Sequence, residues 1–177
     1  MGRAREPEPV KLFVGVLAAV PEMLPEVRGR LEEVLGPVDL ASPVWNFHYT
    51  RYYEAEMGPT LKRQFWGFAS LMDPGRLPEI KLLTNRLEEE WAVRGRRRVN
   101  LDPGYLASAK VVLVTTKDFS HRVYLGRGIY GEITLMYRRG QFLPLPWTYP
   151  DYRSPDYHRF FAELRALYRR QLEAHRA

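Results

Sequence analysis

The 177-residue chain carries 27 Lys/Arg against 21 Asp/Glu, a net charge of +6, with 45% hydrophobic and 13% aromatic residues and no cysteine. That apolar share supports a real core, so disorder is excluded except at the ends, and the lack of cysteine removes disulfide frameworks, thiolate nucleophiles and Cys-based zinc sites. The basic balance points to an anionic partner, although only five of the basic residues are Lys, an Arg bias that genome composition or heat adaptation also produces.

Residues 1–9 read as a flexible tail and residues 10–177 as a single α+β domain. No secretory signal precedes the fold, and the apolar run Leu12 to Val20 is too short to span a bilayer. The expectation is a soluble, cytoplasmic protein with no membrane partner. Val10 to Ala18 predicts a buried strand. Pro21 opens a helix with Met23/Leu24, Val27, Leu31 and Val34/Leu35 at helical spacing, stopped by Gly36. Val38 to Tyr49 reads as a second strand broken by Pro43, and Phe65 to Met72 as a third. Asp73 caps the next helix, whose apolar stripe takes in Leu77, Ile80, Leu82, Leu87 and Trp91. Val99 to Leu101 is a short fourth strand. The order is that of a ferredoxin-like βαββαβ sandwich.

The chain then continues beyond such a domain. Tyr105 to Thr116 is ambiguous: Leu106, Ala109 and Leu113 make a helical stripe, while Val111 to Val114 favours a strand. A helix opened by Pro103 is the preferred reading. Arg122 to Leu125 and Ile129 to Arg138 form a hairpin around Gly126-Arg127-Gly128, and Arg139-Gly140 turns the chain into Gln141 to Leu143. The Pro144 to Arg153 stretch is stiff and extended. Ser154-Pro155 starts a final helix with Tyr157, Phe160, Phe161, Leu164, Leu167, Tyr168 and Leu172 on one face. The fold class expected is α+β, a ferredoxin-like sandwich with a C-terminal β-hairpin and helix extension.

The strings NLDPGY (Asn100 to Tyr105), TTKD (Thr115 to Asp118) and PWTYPDYR (Pro146 to Arg153), with VKLFVG near the start and Tyr52-Tyr53-Glu54, resemble a prokaryotic family known as domain of unknown function 4416. The resemblance spans roughly residues 8 to 170. It implies no established activity; some members carry a loose label as GTP-binding proteins. The sequence lacks the G-x-x-x-x-G-K-[ST] phosphate loop, and Thr116-Lys117-Asp118 lacks the spacer of the guanine-reading [NT]-K-x-D signature, so GTPase chemistry is not expected.

The candidate site lies between residues 94 and 153. Arg94 to Gly140 holds ten Lys/Arg against three Asp/Glu. Asp102 either caps a following helix or acts at a strand's edge as a general base or metal ligand. Thr115, Thr116, Lys117, Asp118 and His121 supply hydroxyls, an ammonium and an imidazole suited to a phosphate or carboxylate, or form a solvated loop. Glu132 is assigned by alternation to a solvent face with Tyr130, Thr134, Met136 and Arg138, and becomes a candidate base only if the Pro144 to Arg153 segment covers it. That segment reads chiefly as a strap with Asp151 and Arg153 pairing locally, or as a stacking surface through Trp147, Tyr149 and Arg153. Tyr53, Glu54 and Glu56 sit in a loop long enough to be a lid. Arg94 to Arg98 reads as an exposed connector.

His48-Tyr49-Thr50 matches half of the twin H-x-[ST] signature of two-histidine phosphoesterases, and the second half is absent. The histidines show no metal-ligand spacing, so no metal site is expected, and the cofactor is left open. The preferred reading is a binder of a phosphate-bearing small molecule, nucleotide or RNA. Thr116, Lys117, His121, Arg122 and Arg153 would contact the anion, with Trp147 or Tyr149 stacking. The alternatives are a hydrolase or transferase with Asp102 or Glu132 as base and Lys117 as stabiliser, and a non-catalytic partner-binding module.

Overall fold

In the computed structural model, which describes residues 1–176, a nine-stranded sheet runs in the order β2 (Val38–Ala41), β4 (Lys62–Met72), β1 (Val10–Ala18), β5 (Val99–Ala107), β6 (Lys110–Thr115), β8 (Ile129–Arg138), β7 (Val123–Gly126), with β3 (Trp45–Asn46) pairing β4 and β9 (Gln141–Pro144) pairing β8. Every ladder is antiparallel. The central strand is β1 (Val10–Ala18), buried along its whole length between β4 (Lys62–Met72) and β5 (Val99–Ala107). A strand covered on both faces reads as a continuous apolar run, and VKLFVGVLA does. Its Val14 and Val16 share a cluster with Val27 and Leu31 of α1 (Leu24–Leu35) and Ile80 and Leu87 of α3 (Leu77–Glu90). Phe13 instead joins Phe161 and Leu164 of α4 (Pro155–Arg176). The molecule is therefore α+β with helices on both sheet faces. No described helix is long and apolar enough to cross a membrane.

Several boundaries follow from local chemistry. Gly36 takes φ 89°, which ends α1 with its N–H on the Glu32 carbonyl. The Asp73 carboxylate accepts from the Gly75 N–H at 2.7 Å, the cap its sequence position predicts. The second predicted strand is present in two pieces, β2 (Val38–Ala41) and β3 (Trp45–Asn46), separated by Pro43. The loop expected to be a lid contains a one-turn helix, α2 (Glu54–Met57). The predicted hairpin forms as β7 (Val123–Gly126) and β8 (Ile129–Arg138), followed by β9 (Gln141–Pro144).

The helix expected over Tyr105 to Thr116 does not form. Strand β5 continues through Pro103 and Gly104 to Ala107, turns at Ser108-Ala109 and returns as β6 (Lys110–Thr115). Leu106, Val111 and Leu113 fill the α4 side while Val112 and Val114 fill the α1/α3 side, so each residue of the run has a face to bury. Tertiary cover on both faces overrides the weak helical stripe. The helix-cap reading of Asp102 is corrected with it, since Asp102, Pro103 and Gly104 all lie within β5. Pro103 falls where the β5–β6 ladder ends, the position at which a missing N–H costs least. Gly104 is required for close packing: a Cβ there would lie 2.5 Å from the Val112 carbonyl oxygen and 2.6 Å from Phe13 Cζ.

Glu132 is the third correction. The β6–β8 register shifts between Val111↔Leu135 and Val112↔Ile133, a bulge that breaks the alternation along β8. The bulge lets Thr134 and Leu135 both be buried, but Glu132 keeps the face it shares with Thr134; it is only 4% exposed because His121 and Arg122 cover it, with Trp147 and Tyr149 of the Pro144 to Arg153 segment packed on those two.

The packing at Gly104 sets a direct test. Gly104→Ala should lower stability by about 3 kcal/mol, the upper end for overpacking, because a backbone carbonyl cannot move aside. Gly29→Ala, in α1 with nothing within 4 Å of the added methyl, should be neutral to stabilising by up to about 1 kcal/mol. Urea midpoints of the two variants check this.

Candidate functional site

A cavity of about 1030 Å³ opens at one end of β4, β5 and β6, walled by α3, the lid loop, the β6–β7 loop and the strap. Its floor is buried and charged. Asp102 on β5 accepts from Asn100 Nδ2 at 2.8 Å on its Oδ2 atom, which also lies 3.6 Å from Arg63 Nη1 of β4. Arg63 is 3% exposed, with its guanidinium carbon 5.2 Å from the Phe47 ring centroid, and its Nη2 reaches the Asp151 carboxylate at 3.4 Å. From α3, Lys81 donates to the Leu101 carbonyl at 3.0 Å and stands 4.0 Å from Asp102 Oδ1. Two turns on, Glu88 accepts from the Leu101 N–H at 2.6 Å. Strand β5 is thus gripped at Leu101 by both a lysine and a glutamate of the same helix face.

Arg97 closes the α3 side. Its Nε and Nη2 form a fork on Glu56 of α2, each at 2.8 Å, and its Nη1 reaches Asn100 Oδ1 at 2.8 Å and Glu88 at 3.3 Å. The Arg94 to Arg98 run is therefore not wholly an exposed connector: Arg97 is half-buried in the cavity wall because it has three acceptors within reach, while Arg94 and Arg96 are exposed.

The rim is more open. Lys117 Nζ donates to the Tyr52 hydroxyl at 2.7 Å and sits 4.8 Å from that ring's centroid. Arg122 donates to Glu132 at 2.9 Å, to the Lys117 carbonyl at 2.9 Å and to the Tyr149 hydroxyl at 2.8 Å. Behind this, His121 Nε2 lies 2.8 Å from the same Glu132 oxygen, and its ring stacks on Trp147 at 5.2 Å. Trp147 Nε1 donates to the Ile133 carbonyl, and Thr148 Oγ1 to the Thr134 carbonyl, so the strap satisfies β8 in the gap between β7 and β9.

Burial shifts several groups. It pushes the Glu88 carboxyl up from the usual range against the opposing charge of Lys81 and the Leu101 N–H. It raises Asp151 in the same way, opposed by Arg63. The hydroxyls of Tyr149 and Tyr53 are also raised by burial. Glu56 moves the other way, because the Arg97 fork favours its ionised form.

Of the residues expected from sequence, Asp102, Glu132, Thr116, Lys117, Arg122, Tyr149 and Tyr53 line the cavity. His121 and Trp147 stand behind the rim and touch it through Glu132. Glu56 holds the lid to Arg97, while Glu54 is exposed. Arg153 is not in the cavity: it donates to the carbonyls of Leu145, Pro146 and Thr148 and pins the strap. Its expected pairing with Asp151 is absent, because Asp151 turns to Arg63. Sequence reasoning missed Arg63, Lys81, Glu88 and Asn100. Lysine is rare along the whole chain, so Lys81 carried the same signal as Lys117, whereas Arg63 sits in the polar run Lys62-Arg63-Gln64 ahead of the strand expected from Phe65, and no local pattern marks it. Among the described residues no three His, Asp or Glu side chains cluster so as to hold a metal ion.

The strings NLDPGY, TTKD and PWTYPDYR, separated by up to fifty residues, thus meet around one cavity. The family model for the Domain of unknown function (DUF4416) matches residues 8–168. The chain belongs to that family. No curated protein and no solved structure matches it. The DUF4416 match covers every strand and most of α4, and with them the whole cavity lining.

The lid clasp has a pH signature. Glu56 has a depressed folded value, so its contribution to stability is present above the ordinary value of 4.5 and is lost as pH falls through the lower folded value. The melting temperature of Glu56→Gln should therefore lie below that of the parent at pH 7, and the gap should narrow as pH falls through the carboxylate range. A gap of constant size across thermal melts at stepped pH would refute the clasp.

Proposed function

We propose that the cavity binds a small organic anion of nucleotide size, carrying a phosphate or carboxylate. The observation that supports this reading is the state of Lys117. The lining holds as many carboxylates as cations, so no bulk positive field draws the ligand. Arg63, Lys81, Arg97 and Arg122 each have a carboxylate within 4.0 Å. Lys117 has none among the described residues, and it is exposed at the rim beside the Thr115 and Thr116 hydroxyls. An ammonium with spare donors and no internal counter-charge is where an incoming anion gains most. Tyr52 and Tyr149, 62% and 42% exposed, flank the entrance and offer ring faces to an organic body.

A small molecule is favoured over RNA because the recognition groups gather around the mouth of one concave cavity. A nucleic-acid backbone needs cations arrayed along an open track. The pairing order β2-β4-β1-β5 also supports reading the first half of the chain as a ferredoxin-like βαββαβ unit, extended by β6 to β9 and α4. A second reading, a transferase or hydrolase with Asp102 as base, is favoured by one observation. Its side chain is 28% exposed, whereas Asp151, Glu88 and Glu132 are sealed at 8%, 6% and 2%. Only Asp102 among these four could reach a substrate proton without rearrangement.

Calorimetric titration of nucleotides and sugar phosphates tests the anion site. Binding should weaken as salt rises, and Lys117→Met should reduce affinity about tenfold, as expected for one hydrogen bond to a charged group. Absence of binding, or affinity indifferent to both salt and Lys117→Met, refutes the reading.

A further inference from the structure

We infer that the cavity floor reads hydroxyl groups, which makes the ligand a phosphorylated polyol, a sugar phosphate or a ribonucleotide, with its phosphate at Lys117 and a hydroxyl between Asp102 and Lys81. The inference rests on the anion site proposed above and adds the chemistry of the opposite end. Asp102 Oδ2 is occupied by the Asn100 amide at 2.8 Å, but Oδ1 accepts no hydrogen bond from any described residue; its nearest cation is Lys81 Nζ at 4.0 Å. Lys81 has three N–H donors and spends one on the Leu101 carbonyl. Spare acceptor and spare donor therefore stand side by side, and both line the cavity.

Neither group is free to swing. Lys81 is 7% exposed and held by a main-chain carbonyl, and Asp102 is fixed by Asn100, whose own oxygen is taken by Arg97. A ligand group placed between them must accept from the ammonium and donate to the carboxylate. A phosphate oxygen meets the charge of Asp102, and an ammonium meets that of Lys81. A hydroxyl does both, and two hydrogen bonds of about 2.8 Å span a 4.0 Å gap with the hydroxyl oxygen at the apex. A site built to pair a hydroxyl discriminates strongly against the analogue that lacks it, because its buried partners are then left unpaired.

Four probes and two variants test this by calorimetry on the full chain: ribose 5-phosphate, adenosine monophosphate, pentyl phosphate and inorganic phosphate, against Lys117→Met and Asp102→Asn. The parent should bind the polyol phosphates at least tenfold tighter than pentyl phosphate, with adenosine monophosphate tighter than ribose 5-phosphate if the ligand is a nucleotide. Asp102→Asn should erase the preference, and Lys117→Met should weaken all four probes alike. Equal affinity for polyol and alkyl phosphates overturns the inference and leaves the anion site standing. A preference that survives Asp102→Asn also overturns it, whereas failure of every probe to bind overturns the anion site itself. Should Asp102→Asn fail to fold, the polyol-to-alkyl ratio on the parent chain still decides.

Discussion

Arg63 is sealed inside the protein at the meeting point of three segments far apart in the chain, and a guanidinium cannot shed its charge to relieve that burial. Compensation has to be built around it. Asp102 comes from β5, Asp151 from the strap, and the rings of Phe47 and Phe65 lie 5.2 and 5.5 Å from the guanidinium carbon. Breaking such an arrangement by removing one member strands the others in a poorly solvated place, so it behaves as a unit. It ties the end of the strap to the sheet. It also orients Asp102, drawing Oδ2 toward Arg63 and Asn100 and leaving Oδ1 to the cavity.

Around that fixed floor the remaining charges are sorted by depth. Buried members pair with one another or with main-chain groups of β5, as Lys81 and Glu88 both do at Leu101. Toward the rim the pairings thin out, and Lys117 is left with a phenol alone. The lid spans the two zones. Glu56 fastens it to Arg97 on the α3 side, Tyr52 to Lys117 across the mouth, and Met57 anchors it in a small cluster with Leu17, Phe47 and Leu61. Of the two lid contacts only the one at Lys117 lies where the proposed anion would bind. His121, Trp147 and Glu132 form the backing for Arg122, which explains why polar residues expected at the site are partly behind it.

The legibility of these features differed by type. Val10 to Ala18, the Asp73 cap, the Gly36 stop, the β7–β8 hairpin and the apolar face of α4 could all be read because each depends on a local pattern or a backbone requirement. Tyr105 to Thr116 misled because a run buried on both faces loses the alternation that marks a strand, and chance placed Leu106, Ala109 and Leu113 at helical spacing. Pro103-Gly104 resembled a turn, yet the glycine serves the contact with Phe13 and the Val112 carbonyl across the sheet. Glu132 kept the face that alternation assigned to it, and nothing local along β8 shows that His121, Arg122 and the strap cover that face.

Asp102, Glu132, Lys117, Arg122 and Tyr149 were all singled out as unusual polar residues, and they do share one cavity. The sequence by itself determined the α+β class, the presence of an apolar core, most element boundaries and the polar strings from which a site would be made, since these depend on composition, periodicity and capping chemistry close along the chain. Only the tertiary structure decided that Arg63, Lys81, Glu88 and Asn100 belong with them. It also decided that Arg153 does not, and that Lys117 alone among the lining cations keeps its charge uncompensated. Those outcomes depend on which carboxylates fold to within a few ångströms of which cations, and pairings between residues 63 and 151 or 56 and 97 leave no periodic trace in the sequence.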